Sequence, residues 1–188
     1  LMSFYDPEKI EVLISEDQLK QRIRELGAQI TEDYRDQGEL ILVCVLKGSY
    51  LFMADLSREI DLDLVVDFMS VSSYGDAYES SGVVRLVNDL SLSITDKHVL
   101  IVEDIIDSGL TMSYIMKTLK TRNPRSVNVV SLLNKPSKTQ AELDIRYLGF
   151  EIPDRFVIGY GLDFHNKLRN LPFIGVNLTS EMPLRSQD

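Results

Sequence analysis

The sequence predicts an α/β domain: a mainly parallel, twisted sheet flanked by helices. Three observations carry that prediction. Apolar stretches that read as strands alternate with segments of helical spacing along the chain, the order expected when helices cover a parallel sheet. The stretch Leu40-Ile41-Leu42-Val43-Cys44-Val45-Leu46 is apolar at every position, as a strand covered on both faces must be. No repeat, low-complexity tract or linker divides the 188 residues, a length suited to one domain rather than two.

The elements follow in order. Ser15 and Gln18 form a capping box, and Leu19, Ile23, Leu26 and Ile30 then recur at helical spacing, giving one apolar stripe. Gly38 ends a linker and residues 40–46 form the first strand. Gly48 opens a helix carrying Leu51, Phe52, Leu56 and Ile60. Residues 64–71 are β-rich. Residues 72–82 hold few core-forming side chains and read as a long, mobile, functional loop. Residues 83–87 form a short strand and residues 98–102 a longer one. A helix from about residue 112 to 119 is broken by Asn123-Pro124. Residues 127–133 return to strand character, with shorter runs at 145–148, 156–160 and 173–176.

Composition excludes several classes. With 44% hydrophobic and 26% charged residues, large-scale disorder is not expected. The net charge of −9 and the lack of a dense Lys/Arg cluster argue against nucleic-acid binding. Cys44 is the only cysteine, so no internal disulfide forms, and it reads as a buried strand residue. No apolar run approaches the ~20 residues that span a bilayer. The first residues lack a signal peptide's layout, and Leu1, ahead of Met2, is set aside from the fold reading. A cytoplasmic location is expected. His98 and His165 have neither metal-ligand spacing nor a cysteine partner, which excludes zinc. Gly159-x-Gly161 lacks the third glycine and following helix of a dinucleotide fingerprint.

Ligands of open parallel sheets bind beyond the carboxyl ends of strands, and the richest strand exit is Val99-Leu100-Ile101-Val102-Glu103-Asp104-Ile105-Ile106-Asp107-Ser108-Gly109-Leu110-Thr111. The strand is expected to end at Val102, with two carboxylates directly after it. Ser108, Gly109, Leu110 and Thr111 feed a helix N-terminus, where unpaired N–H groups and the helix dipole favour an anion. Glycine lets backbone approach a phosphate. The pattern is not a Walker A loop, because Leu110 stands where its lysine is sought. Glu103 and Asp104 suit a vicinal diol, or magnesium held through oxygen.

This segment resembles the phosphoribosyl-diphosphate motif of type I phosphoribosyltransferases. Further stretches are similar to the hypoxanthine(-guanine) branch of that family: Leu46-Lys47-Gly48-Ser49-Tyr50, Ser131-Leu132-Leu133-Asn134-Lys135, and the run from Gly149-Phe150-Glu151-Ile152-Pro153-Asp154-Arg155-Phe156 through Val157-Ile158-Gly159-Tyr160-Gly161-Leu162-Asp163. The resemblance runs in register from about residue 15 to 176. It implies the family's fold, with a small hood from the N-terminal segment and residues 149–188, and one domain over residues 1–188.

It also implies roles. Asp107, Ser108, Gly109, Leu110 and Thr111 hold a 5′-phosphate, mostly through backbone because Leu110 replaces the lysine of some relatives. Glu103 and Asp104 face the ribose hydroxyls. Magnesium bridges diol and diphosphate beside Glu103 and Asp104, and Asp163 supports a second magnesium through water. Asp107 lies near N7 of a purine as general acid or base. Lys47 and Gly48, after a cis Leu46–Lys47 peptide, bind diphosphate with Arg169. Lys135 donates to O6, Phe156 stacks on the base, and Val157 and Asp163 read its edge. Ser73 and Tyr74 belong to a mobile loop that closes over the site. The implied activity is transfer of a phosphoribosyl group from phosphoribosyl diphosphate to hypoxanthine and guanine, by a homodimer or homotetramer. Alternatives are a transferase for xanthine, adenine or a pyrimidine, and a nucleic-acid-binding regulator on the same fold, which needs a basic face.

Overall fold

A computed structural model describes residues 4–73 and 84–184. The continuous apolar run forms strand β2 (Leu40–Leu46), buried along nearly its whole length. It pairs in parallel with β3 (Leu64–Ser73) on one side and with β5 (His98–Ile106) on the other. Outward from β5 lie β6 (Ser126–Asn134) and β7 (Tyr147–Glu151), also parallel. β4 (Val84–Asn88) runs antiparallel along β3, giving the strand order β4-β3-β2-β5-β6-β7.

Side-chain alternation along β2 explains the layers. Leu40, Leu42 and Cys44 point into a core with helices α1 (Glu16–Tyr34) and α2 (Tyr50–Glu59). Ile41, Val43 and Val45 point into the opposite core, filled by Met112, Ile115 and Leu119 of α3 (Leu110–Lys120). The expected apolar stripe of α1 is buried. Its capping box is present too: Gln18 N donates to Ser15 Oγ, and Ser15 N donates to Gln18 Oε1 at 2.9 Å. Such a cap contributes about 1 kcal/mol.

A second sheet joins the two end regions of the chain. β1 (Ile10–Ile14) and β8 (Val157–Ile158) flank β9 (Ile174–Asn177), all antiparallel. Its own small core contains Ile10, Ile158, Leu168, Leu171 and Phe173. Residue 149, the expected hood boundary, falls inside β7 of the large sheet.

Several elements differ from the sequence reading. β5 continues through Ile106 instead of ending at Val102, because Glu103, Ile105 and Ile106 still pair with β6. β1 was not expected; its partner lies at the other end of the chain. The strand expected at 145–148 begins two residues later, at Tyr147, and α3 extends to 110 and 120. Most of the loop expected at 72–82, including Tyr74, lies outside the described residues, while Ser73 is the last residue of β3. Among the described residues no helix is long and apolar enough to cross a membrane.

Candidate active site

The carboxyl end of β5 builds the site. Glu103 and Asp104 lie within the strand, so the sheet fixes their backbone. Glu103 is 8% exposed. Its Oε1 accepts from Ser49 Oγ at 3.3 Å and from the Asp104 N–H at 3.2 Å. Burial pushes the Glu103 carboxyl well above its ordinary range, and the neighbouring Asp104 carboxylate pushes the same way. Burial also raises Asp104; hydrogen bonds, among them one from the Ile105 N–H at 2.7 Å, and the Arg169 charge oppose the rise. Two adjacent acidic groups, each discouraged from ionising, make a place that a diol or a cation would relieve.

Beyond Ile106 the chain leaves the sheet in three residues, Asp107, Ser108 and Gly109, and α3 begins. Gly109 is the N-cap at φ 78°, with no side-chain cap. That left-handed turn favours glycine, and a β-carbon there would also meet Leu143 Cδ1 at 2.7 Å. The loop is pinned from behind, since Gln140 N and Ala141 N both donate to the Ser108 carbonyl, at 2.9 and 3.3 Å. Ser108 Oγ accepts weakly from Leu110 N at 3.4 Å.

The turn after β2 stacks against this strand end. The Leu46–Lys47 peptide is cis, as the resemblance implied. A β-carbon on Gly48 would overlap the Asp104 carboxylate, and one on Gly161 (φ 101°) would overlap the Gly48 carbonyl oxygen. Gly161 therefore packs directly on the Gly48 backbone, and Gly48 directly on the Asp104 carboxylate. Gly161 N donates to the Arg169 carbonyl at 2.8 Å, and Arg169 Nη1 donates to the Gly161 carbonyl at 2.7 Å. The other arm of Arg169 reaches Asp163 Oδ1 at 2.8 Å. Asn166 N donates to Asp163 Oδ2 at 2.7 Å.

A cleft of about 550 Å³ results, and ten of the expected residues line it: Lys47, Gly48, Glu103, Asp104, Asp107, Ser108, Gly109, Thr111, Asp163 and Arg169. Leu110 belongs to the same loop. Lys135, Phe156 and Val157 are not among the residues that line the cleft. Lys135 follows β6, its N–H donating to the Ile106 carbonyl at 3.0 Å. Its ammonium lies 3.9 Å from Asp107 Oδ2 and 3.7 Å from Asp154 Oδ1. Phe156 is 58% exposed, edge-on to Phe164 at 5.8 Å between centroids. Val157 is buried in β8. An exposed phenyl ring suits stacking on a flat ligand.

Sequence reasoning missed four residues. Ser49 is fully buried against Glu103, Asp154 lies beside Lys135, Gly161 packs on Gly48, and Phe164 supports Phe156. Asp154 and Gly161 stood in the family-like run, but only contacts from other segments give them a role. Among the described residues no three His, Cys, Asp or Glu side chains converge as a metal cage. The donor set instead fits magnesium, which keeps waters and uses one or two carboxylates together with substrate oxygens.

The acidic pair of β5, the loop after it and the Lys47–Gly48 turn share one cleft. The chain belongs to the phosphoribosyl transferase domain family, whose model matches residues 14–165. Within it, the chain is 49% identical to a hypoxanthine-guanine phosphoribosyltransferase of Bacillus subtilis over 93% of this chain and 96% of that protein. It is 48% identical to the hypoxanthine phosphoribosyltransferase of Escherichia coli, over 88% and 94%. The crystal structure of a hypoxanthine phosphoribosyltransferase from Staphylococcus aureus superposes with a TM-score of 0.85 at 46% identity, covering 89% of this chain and 90% of that one.

Proposed function

We propose that the protein salvages purines, transferring the 5-phosphoribosyl group of phosphoribosyl diphosphate to N9 of hypoxanthine or guanine and releasing diphosphate. The observation that carries this reading is the meeting of the β5 acidic pair and the loop after it in one cleft, with the buried Lys135 ammonium 3.9 Å from Asp107 of that loop. An ammonium fixed in place accepts a 6-oxo base and leaves a 6-amino base donor against donor. Sites of that kind discriminate strongly.

In this reading the backbone of 107–111 holds the 5′-phosphate, and Glu103 and Asp104 hold the ribose hydroxyls. Lys47, Gly48 and Arg169 take the diphosphate. Phe156 and Lys135 hold the base, with Val157 and Asp163 at its edge. N9 forms its bond to C1 of the ribose as the bond from C1 to the diphosphate oxygen breaks. Asp107 moves the proton at N7. Magnesium, held by Glu103 and Asp104 with substrate oxygens, would neutralise charge on the diphosphate, and Asp163 would support a second magnesium through water. Ser73 and Tyr74 would help close the site against water. Most of the rate gain then comes from positioning and charge stabilisation. The reading includes a homodimer or homotetramer, which sedimentation would measure. It also includes a cytoplasmic location, with which a single buried cysteine agrees.

The test mixes purified protein, magnesium and phosphoribosyl diphosphate with each free base and identifies the nucleotide by mass. IMP from hypoxanthine and GMP from guanine are expected. AMP or a pyrimidine nucleotide as main product, or no nucleotide from any base, overturns the reading.

A further inference from the structure

The Lys135 side chain is only 9% exposed, and a cation so removed from water needs fixed negative partners. Two carboxylates supply them from different segments. Asp107 belongs to the loop after β5 and Asp154 to the turn between β7 and β8. Their nearest oxygens lie 3.9 and 3.7 Å from the ammonium, both beyond a direct hydrogen bond. The ammonium therefore hangs between the two, committed to neither.

Asp154 is itself held from several sides. Its Oδ2 lies 3.3 Å from Lys138 Nζ. Lys138 closes a short turn on Lys135, its N–H donating to the Lys135 carbonyl at 3.0 Å. Ile152 N donates to the Asn134 carbonyl at 2.9 Å, tying the Asp154 turn to the residue just before Lys135. Asp154 thus spans both lysines of a single turn, two residues ahead of Phe156.

We propose that Asp154 is a positioning residue for base recognition, holding the Lys135 ammonium off Asp107 and in line with O6 of a 6-oxopurine. The inference rests on Lys135 being the O6 donor. With the Asp154 charge removed, Asp107 becomes the nearest carboxylate, and attraction in a poorly solvated setting draws the ammonium toward it. That movement takes the donor from O6 and also occupies the group that moves the N7 proton. A half-exposed carboxylate, remote from the breaking bond, then governs the hold on the base but not the hold on the sugar donor.

The experiment measures KM for hypoxanthine, KM for phosphoribosyl diphosphate and the thermal midpoint of five variants: D154N, D154E, K135Q, D154N/K135Q and K138M. In D154N the hypoxanthine KM should rise about ten-fold, with the donor KM within about two-fold and the midpoint unchanged. D154E should recover part of the loss. In the K135Q background D154N should add less than about two-fold, because its effect runs through the missing lysine. K138M, which removes one hold on Asp154 but keeps its charge, should raise the hypoxanthine KM less than D154N does. Independent, multiplying effects of D154N and K135Q overturn the proposal, as do equal rises in both KM values or a K138M variant that reproduces D154N. If K135Q alone leaves the hypoxanthine KM unchanged, the O6 assignment falls and this inference with it. If K135Q weakens hypoxanthine and D154N does not, only the inference about Asp154 falls.

Discussion

Gly48 lies so close to the Asp104 carboxylate that no β-carbon fits between them. The contact joins the turn after β2 to the acidic end of β5. A Gly48→Ala protein must push one of the two away. Displacements of that size in a positioned site cost on the order of 10²-fold in turnover, and overpacking costs about 1–3 kcal/mol of stability. Steady-state kinetics and urea unfolding would measure both. Unchanged turnover would show that the closeness has no role.

Asp107 is half exposed and reaches the cleft from a loop. Asp107→Ala should lower kcat about 10²–10³-fold, the range for losing a positioned acid or base, with KM for either substrate moving far less. Equal turnover in the variant contradicts the assignment.

Lys135→Ala removes the donor proposed for O6. The ratio of kcat/KM for hypoxanthine over adenine should fall by at least about ten-fold. A ratio that stays constant, measured with both bases under the same conditions, argues that Lys135 is not the discriminating contact.

Arg169 spends one arm on Asp163 at 2.8 Å and the other on the Gly161 carbonyl at 2.7 Å. Arg169→Met keeps the stem and removes both contacts. The KM for phosphoribosyl diphosphate should rise about ten-fold, since a charged contact to a phosphate is worth roughly that much. The hypoxanthine KM should stay within about two-fold at saturating donor. A rise confined to hypoxanthine would reassign Arg169 to the base.

His98 lies at the other end of β5, its Nδ1 2.6 Å from Ser126 Oγ. Burial, and then the charge of Arg125, hold its pKa below the ordinary 6.5. The unfolded chain therefore takes up this proton first as pH falls. The His98 contribution to stability is full above 6.5, declines as pH drops through it, and levels off below the folded-state value. Urea midpoints at about pH 7.5 and 5.5 should differ more for the parent than for His98→Gln. The same drop in both would exclude His98 as the source.

Patterns that depend on one segment were legible in the sequence. The run from Leu40 to Leu46 announces a strand covered on both sides, and the Ser15/Gln18 pair announces a helix start. The loop from Asp107 into α3 was legible for the same reason, because glycine, hydroxyls and a helix start lie within five positions. Features requiring a distant partner were not. β1 has meaning only against β9, and Ile10-Glu11-Val12-Leu13-Ile14 carries no turn signal to mark it. β5 was cut short because two adjacent acids look like the end of a buried strand. Only pairing with β6 shows that the backbone stays in the ladder through these acids, with Glu103 still buried. Asp154 gained a role only when folding brought it to Lys135.

The extension of β5 to Ile106 divides the site mechanically. The acceptors proposed for the sugar, Glu103 and Asp104, ride on a central strand of the sheet, whereas the cradle proposed for the 5′-phosphate is a short loop beyond it. Drift in Asp107, Ser108 or Gly109 can change how tightly the anion is gripped without shifting Glu103 or Asp104. The scaffold thus keeps one end of an extended ligand stationary while leaving the other free to be retuned.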